Sequence, residues 1–179
     1  MIVVMAALIV LLLVAVGLLV LVRGQRQRVT SLDDLTGRTQ PVDMRAFQNL
    51  ISPVETQFLR DSLPPVQFRI VQRQRTLGAA EYVRRISHNA GVLIRLGQLA
   101  RANPDPQIAA AAHAMVERAA QVRMTSALVL AKLYIYSVLP VLPFGVEDIF
   151  GAYGRLTESA LLFTRLQRPA FAGRVGAML

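Results

Sequence analysis

The hydrophobic pattern of the chain begins with an uninterrupted apolar stretch. Residues 1–22 contain only aliphatic residues, Met, Ala and one Gly, without a charged, amide or hydroxyl side chain. As an α-helix that rises about 1.5 Å per residue, they would reach roughly 33 Å, enough to cross a hydrocarbon core of about 30 Å. A cleavable signal peptide would have a shorter apolar region preceded by Lys or Arg. The pattern therefore predicts a single transmembrane anchor over residues 1–22.

A basic and then polar segment follows the apolar stretch, beginning with Arg23, Arg26 and Arg28. Basic residues beside a span are retained in the cytoplasm. We therefore expect the amino terminus outside and the rest of the chain on the cytoplasmic side of the inner membrane. The same arginines could also bind anionic lipid headgroups. Residues 23–42, which continue with Thr, Ser, Asp and Gly, are predicted to be a juxtamembrane segment and linker.

Two short helices are predicted after the linker. The first covers residues 43–50, and one side of it carries three apolar residues: Met44, Phe47 and Leu50. The second has a clear start, with Ser52 at the N-cap, Pro53 at the first helical position and Glu55 at the capping-box position. It is expected to end near Ser62, before two consecutive prolines.

A long αα-hairpin dominates the rest of the pattern. No proline interrupts residues 66–102, and one stripe of small and apolar residues recurs there at spacings of three and four: Val83, Ile86, Ala90, Leu93, Gly97 and Ala100. That spacing indicates one buried helix face. A turn follows, with Asp105 as the next N-cap and Pro106 at the first helical position. The second helix of the hairpin, residues 107–139, is alanine-rich in its first half and apolar almost all round in its second.

A last helix is predicted over residues 146–167, with an apolar side formed by Ile149, Phe150, Tyr153, Leu156, Ala160 and Phe163. No segment shows the strict alternation of a strand. The expected fold class is therefore all-α, with an N-terminal single transmembrane helix followed by a three- to four-helix bundle. The bundle comprises residues 43–168 and is built on the long αα-hairpin. Residues 169–179 are a short tail.

The charge balance narrows the class of partner. The chain has 20 basic and 11 acidic residues, and all basic residues except Lys132 are Arg. This excess suits an anionic or acidic partner. The absence of Trp and the few aromatic residues argue against a stacking platform for nucleic acid. The absence of cysteine excludes a disulfide framework, an iron–sulfur site and cysteine-ligated zinc.

One row of arginines is a candidate anion-binding ridge. Its members share a helix face, because three of them are spaced by eleven residues, about three turns, and the fourth lies one turn earlier. They are Arg69, Arg73, Arg84 and Arg95. The alternative is a solvated helix face on which Glu81 pairs locally with Arg84 or Arg85.

Lys132 is a candidate buried charge, because its neighbours in the sequence are almost all apolar. A buried ammonium is normally paired, or its charged end reaches solvent. One interpretation places Lys132 at the edge of the bundle or pairs it with Glu158 or Glu117. The other makes residues 124–142 a second membrane span, which a central Lys would disfavour.

An apolar break between the last two helices is a candidate docking loop. Its residues are Pro140, Val141, Leu142, Pro143 and Phe144. Connections between helices are usually polar and exposed, so these side chains should cover something. We predict that Leu142 and Phe144 insert into a partner subunit or the membrane interface. The alternative is that they cap the core of the bundle.

No catalytic motif accompanies these features. The two histidines, His88 and His113, belong to no metal or nucleophile motif, and the Glu-x-x-His pattern of di-iron bundles is absent. No catalytic residue, cofactor or metal is therefore expected. The sequence favours a non-enzymatic, single-pass membrane-anchored protein that acts as a docking, scaffold or accessory subunit of a larger membrane-associated complex. Its expected partners are the lipid bilayer and other protein subunits, with self-association left open. The alternative is a peripheral binder of anionic ligands, either lipid headgroups or nucleic acid, with nucleic acid disfavoured.

Overall fold

The structure, a computed structural model, describes residues 38–138 and 147–167. This part of the chain is built from five helices and confirms the all-α prediction: α1 (Met44–Ile51), α2 (Pro53–Ser62), α3 (Pro65–Ala100), α4 (Pro106–Val138) and α5 (Glu147–Gln167). None of these helices combines the length and the apolar character that crossing a bilayer requires. The predicted anchor (1–22), its basic flank and the tail (169–179) lie outside the described residues.

Local capping sets the bounds of the two short helices, and for α2 the sequence predicts it. The Asp43 carboxylate accepts hydrogen bonds from the backbone N–H groups of Arg45 and Ala46, both at 3.0 Å. The Ser52 hydroxyl accepts one from the Glu55 N–H at 3.3 Å, and Pro53 opens α2. The Ser52 N–H itself is bonded within the preceding turn, so the capping box is only half formed. Proline then prevents α2 from continuing into α3.

The long hairpin is formed by α3 and α4. The Asp105 carboxylate accepts a hydrogen bond from the Gln107 N–H at 2.8 Å and caps α4, as predicted. All six residues of the predicted stripe on α3 are buried. They pack with Ala112, Met115, Ala119 and Val122 of α4 in the hydrophobic core. α5 packs mainly along α4, and its predicted apolar side is buried except for Phe150, which is half-buried.

Among the described glycines, Gly97 has the closest neighbouring atoms, and these belong to the other helix of the hairpin. A Cβ added there would lie 2.5 Å from Val116 Cγ2, 3.0 Å from the Ala112 carbonyl oxygen and 3.0 Å from Met115 Cε. Real Cβ atoms do not come this close to a neighbouring atom without displacing it. The absence of a side chain at position 97 therefore permits the observed distance between α3 and α4.

One fully buried aromatic residue attaches α1 to the bundle, and Met44, Leu50 and Ile51 pack against the same core while only partly buried. Phe47 is the only buried residue of α1. Its ring stacks on Tyr82 of α3, with centroids 5.7 Å apart, and lies 4.9 Å from the ring of Phe150 of α5. Phe47 therefore joins three helices.

The chain just before α1 is also fixed to α3. Asn89 is fully buried, and its amide group accepts from the Gln40 N–H and donates to the Gln40 carbonyl, both at 2.8 Å. It also donates to the Tyr153 hydroxyl of α5 at 3.1 Å. The residue that precedes Asn89 contributes as well: His88 Nε2 lies 2.8 Å from the Arg38 carbonyl oxygen. Residues 38–40 are thus held by paired polar groups, as buried amides require.

Tyr153 should make the bundle less stable at alkaline pH. Burial raises the pKa of its phenol, and the hydrogen bond from Asn89 offsets this only in part. In the unfolded chain the phenol ionises near its ordinary pKa of about 10. Above that pH the unfolded state loses a proton that the folded state keeps, so stability falls as pH rises. We expect melting temperatures measured across this range to fall less steeply for Tyr153→Phe. An equally steep fall would contradict the assignment.

Part of the molecule extends beyond the described ends of α4 and α5. Arg84 of α3 contacts Tyr134 of α4, close to the end of α4 at Val138. Because the helices are antiparallel, the residues of α3 before about position 80 extend past α4 by roughly 20 Å. α2 runs beside this extension, with the Arg60 guanidinium 5.4 Å from the centre of the Phe68 ring. We call residues 53–75, which comprise α2 and the start of α3, the arm.

Candidate functional site

The predicted arginine row is divided in the structure. Arg69 and Arg73 are exposed on the arm, Arg84 is exposed further along α3, and Arg95 is half-buried. Arg84 forms an ion pair with Glu81 at 2.9 Å and donates to the Tyr134 hydroxyl. Burial lowers the pKa of Arg84, but these hydrogen bonds outweigh it and the net pKa is raised. Arg84 therefore connects α3 to α4. Because Arg84 makes these contacts, it separates Arg69 and Arg73 from Arg95 along the predicted ridge.

The local pairing of Glu81 is confirmed. Besides the contact with Arg84, its carboxylate lies 3.5 Å from Arg85 Nε. All three side chains are partly exposed, and ion pairs of this kind stabilise a helix by only a few tenths of a kcal/mol, about 0.2–0.5. The solvated-face interpretation therefore accounts for this section of α3, and anion binding by Arg69, Arg73, Arg84 and Arg95 stays a prediction.

Lys132 is exposed, so the prediction of a buried charge is wrong. Exposed residues recur along the outer face of α4 every three or four positions, and Lys132 is the last of this series: Glu117, Gln121, Met124, Leu128 and Lys132. The apolar neighbours of Lys132 in the sequence include residues on this same outer face, so they do not bury it. Its exposure agrees with the interpretation that places Lys132 at the edge of the bundle.

Neither acidic partner suggested for Lys132 lies near it. Glu117 precedes it on the same helix by roughly 22 Å at about 1.5 Å per residue. Glu158 lies beside the first half of α4, because Arg118 there donates to the Arg155 carbonyl oxygen at 3.2 Å and to the Ser159 hydroxyl. Glu117 and Glu158 therefore both lie beside the first half of α4, whereas Lys132 lies near its end.

The candidate docking loop, Pro140, Val141, Leu142, Pro143 and Phe144, lies outside the described residues and stays a prediction. The same holds for the membrane flank, Arg23, Arg26 and Arg28.

Among the described residues, His113 is exposed, and no three His, Asp or Glu side chains are grouped as ligands for a metal ion.

The arm exposes large apolar side chains. Val54 and Phe58, one turn apart on α2, are 78% and 64% exposed, and Val66 and Ile70, one turn apart on α3, are 70% and 55% exposed. α2 has no buried residue. Three exposed arginines lie on the same arm, Arg60, Arg69 and Arg73, with Glu55 and Asp61 as its acidic residues. This surface was not predicted, although α2 has few apolar residues to bury, which was a signal for it.

A second group of arginines was also missed. Arg95 of α3 and Arg123 of α4 both lie over Gly91, with guanidinium nitrogens 3.9 Å and 3.8 Å from the position that a Cβ on Gly91 would occupy. Only the first belongs to the predicted row. The sequence carries no local signal for their proximity, because it depends on the register of the hairpin.

Comparisons with protein-family models, with curated proteins and with solved structures found no match to this chain.

Proposed function

We propose that this chain is a non-enzymatic, single-pass membrane protein whose helical bundle docks onto a partner protein as an accessory subunit of a larger membrane-associated complex. The exposure of Val54, Phe58, Val66 and Ile70 on the arm is the observation that carries the docking role. The membrane anchor is supported by the sequence of residues 1–22, and the cytoplasmic position of the bundle by the arginines that follow them.

The arm contributes little to the stability of the bundle by itself. Fully burying a side chain such as Val, Ile or Phe contributes about 1.5–3 kcal/mol relative to leaving it in water, and four of them remain largely exposed on the arm. Large apolar side chains grouped on a surface and bordered by polar residues mark interaction sites. A partner that covers them would gain much of this free energy, after the cost of association.

The charges of the arm define the chemistry of the partner. Arg60, Arg69 and Arg73 are exposed on the same arm as the apolar side chains. A complementary protein surface has an apolar centre that receives Phe58 and Ile70, with Asp or Glu at its edge to meet the arginines. Aromatic and arginine side chains are the types that most often dominate interface energies.

Removing the apolar side chains should release the partner. We expect the double variant Phe58→Ser with Ile70→Ser, purified from native membranes in mild detergent, to lose at least about ninety per cent of the partner that the unaltered chain retains, an effect of about 1.4 kcal/mol or more. The melting temperature should change little, because exposed positions contribute little to folding. Mass spectrometry of the co-purified proteins and thermal unfolding measure the two quantities.

The control is a matched apolar pair elsewhere on the bundle. Met124 and Leu128 on α4 are 71% and 66% exposed, and Met124→Ser with Leu128→Ser should retain the partner. The complex should also persist at high salt, because apolar contacts are not screened. Retention of the partner by the arm variant, or equal loss from the α4 variant, would contradict docking through the arm. If the retained protein is only a second copy of this chain, the accessory-subunit role is wrong.

A further inference from the structure

The outer side of α5 exposes two leucines next to charged residues. Leu162 and Leu166 are 58% and 40% exposed. With 3.6 residues per helical turn, three further exposed residues lie within roughly 40° of Leu162 around the helix axis: Gly151, Arg155 and Glu158. We call these five residues the α5 face. Apolar side chains grouped on a surface and bordered by polar ones mark an interaction site.

The α5 face is held in place by the bundle behind it. On the opposite side of α5, Leu156, Ala160 and Phe163 are buried in the hydrophobic core. Arg118 of α4 donates to the Arg155 carbonyl oxygen at 3.2 Å, which holds the backbone of α5 at the centre of the face. A binding partner therefore meets a preformed surface, and association need not order the backbone.

The two charged groups at the centre of the α5 face point to a partner that carries opposite charges. Within the described part of the chain, the Arg155 guanidinium and the Glu158 carboxylate take part in no hydrogen bond or ion pair. Arg155 Nη1 lies 3.4 Å from the position that a Cβ on Gly151 would occupy, so the guanidinium extends along the face. An approaching helix can reach both charged groups.

We propose that the α5 face binds the same face of a second copy of this chain, with the two helices antiparallel. A two-fold axis then forms every contact twice, once from each copy. With Arg155 of one copy opposite Glu158 of the other, two Arg–Glu pairs form. Gly151 precedes Arg155 by four residues, and Leu162 follows Glu158 by four. In antiparallel helices these positions are also opposite, so Leu162 of each copy packs against Gly151 of the other.

The charges and the shape of the face favour a second copy over an unrelated protein. A wholly acidic or wholly basic partner surface would bring a like charge against either Glu158 or Arg155. An antiparallel copy brings only opposite charges into contact, whereas a parallel copy would place Arg155 against Arg155. Because Gly151 has no side chain, Leu162 of the copy can approach the helix backbone closely.

This self-association is separate from the proposed docking function. None of the five residues belongs to the arm, which comprises residues 53–75. A variant of the α5 face should therefore become monomeric and still retain the partner. The arm variant, Phe58→Ser with Ile70→Ser, should lose the partner and still form dimers. The two proposals can thus fail independently.

Exchanging the two charges tests the pairing. Light scattering and sedimentation of the full-length chain in mild detergent measure the dimer Kd. We expect Arg155→Glu and Glu158→Arg, each alone, to weaken this Kd at least about tenfold, because each change places two pairs of like charges in contact. The double variant restores opposite charges and should return the Kd to within about threefold of that of the unaltered chain. Melting temperatures should change little, because both positions are exposed.

Introduced cysteines test the direction of the helices without altering the charges. The chain contains no cysteine, so any disulfide reports the introduced positions. Mild oxidation of Gly151→Cys chains mixed with Leu162→Cys chains should yield the mixed disulfide, and each variant alone should yield little. A parallel pair would give the reverse, with disulfides between identical positions.

The control variant is Met124→Ser with Leu128→Ser, which removes exposed apolar side chains from α4 and should leave the dimer Kd unchanged. A monomeric unaltered chain, a double charge variant that stays as weak as the single variants, or disulfides between identical positions would each overturn the proposal. Release of a different protein by Arg155→Glu, with the dimer intact, would assign the α5 face to another partner and would also overturn it.

Discussion

Replacing Phe47 with Ala is expected to lower the free energy of unfolding by about 3–5 kcal/mol, the range for emptied aromatic core sites. The reason is that Phe47 is fully buried and its ring packs against both Tyr82 and Phe150. Its removal leaves a cavity where α1, α3 and α5 meet, and the other core contacts of α1, made by Met44, Leu50 and Ile51, are only partly buried. Thermal and denaturant unfolding of the full-length chain in detergent measure the loss.

Phe58 provides the matched control for this prediction. It is also a phenylalanine on a short helix, but it is 64% exposed. Phe58→Ala should change the free energy of unfolding by no more than about 0.5 kcal/mol. Similar losses in the two variants would show that Phe47 does not join the helices as the structure places it.

Gly97→Ala is expected to destabilise the bundle, although Ala is the better helix former. The added methyl group would clash with Val116 and with the Ala112 carbonyl oxygen. The backbone oxygen cannot rotate away, so α3 and α4 must separate. Overpacking of this kind costs about 1–3 kcal/mol, whereas Ala gains at most about 1 kcal/mol over Gly in a helix. A net loss should therefore be seen in thermal unfolding.

Gly154→Ala should instead raise the free energy of unfolding. No neighbouring atom lies within 4 Å of the position that its Cβ would occupy, so only the gain in helix propensity, up to about 1 kcal/mol, remains. If Gly97→Ala stabilised the protein as Gly154→Ala does, the tight approach of α3 to α4 would be wrong.

The helices and their core faces were predictable because their signals are local. Ser52, Pro53, Asp105 and Pro106 act within one helical turn, and their capping roles follow from the residue types alone. The buried stripe on α3 repeats over several turns, which makes its interpretation robust. These features need no knowledge of which helix packs against which.

The candidate sites were harder to predict because they depend on contacts between helices. Arg123 meets Arg95 only through the register of the hairpin, and Tyr134 reaches Arg84 for the same reason. The prediction that Lys132 is buried is wrong because apolar neighbours in the sequence do not by themselves form a buried environment. A helix has an outer face even where its sequence is apolar, and Met124 and Leu128 share that face with Lys132.

If residues 1–22 anchor the chain as proposed, the attachment of Gln40 to Asn89 limits how far the bundle can move from the membrane. Only residues 23–37 separate the proposed anchor from the first described residue, and even a fully extended chain of that length spans at most roughly 50 Å. Short tethers of this kind hold a domain at millimolar effective concentration near its target. A weak contact between the bundle and a neighbour in the same membrane would then be sufficient for stable assembly, without high intrinsic affinity.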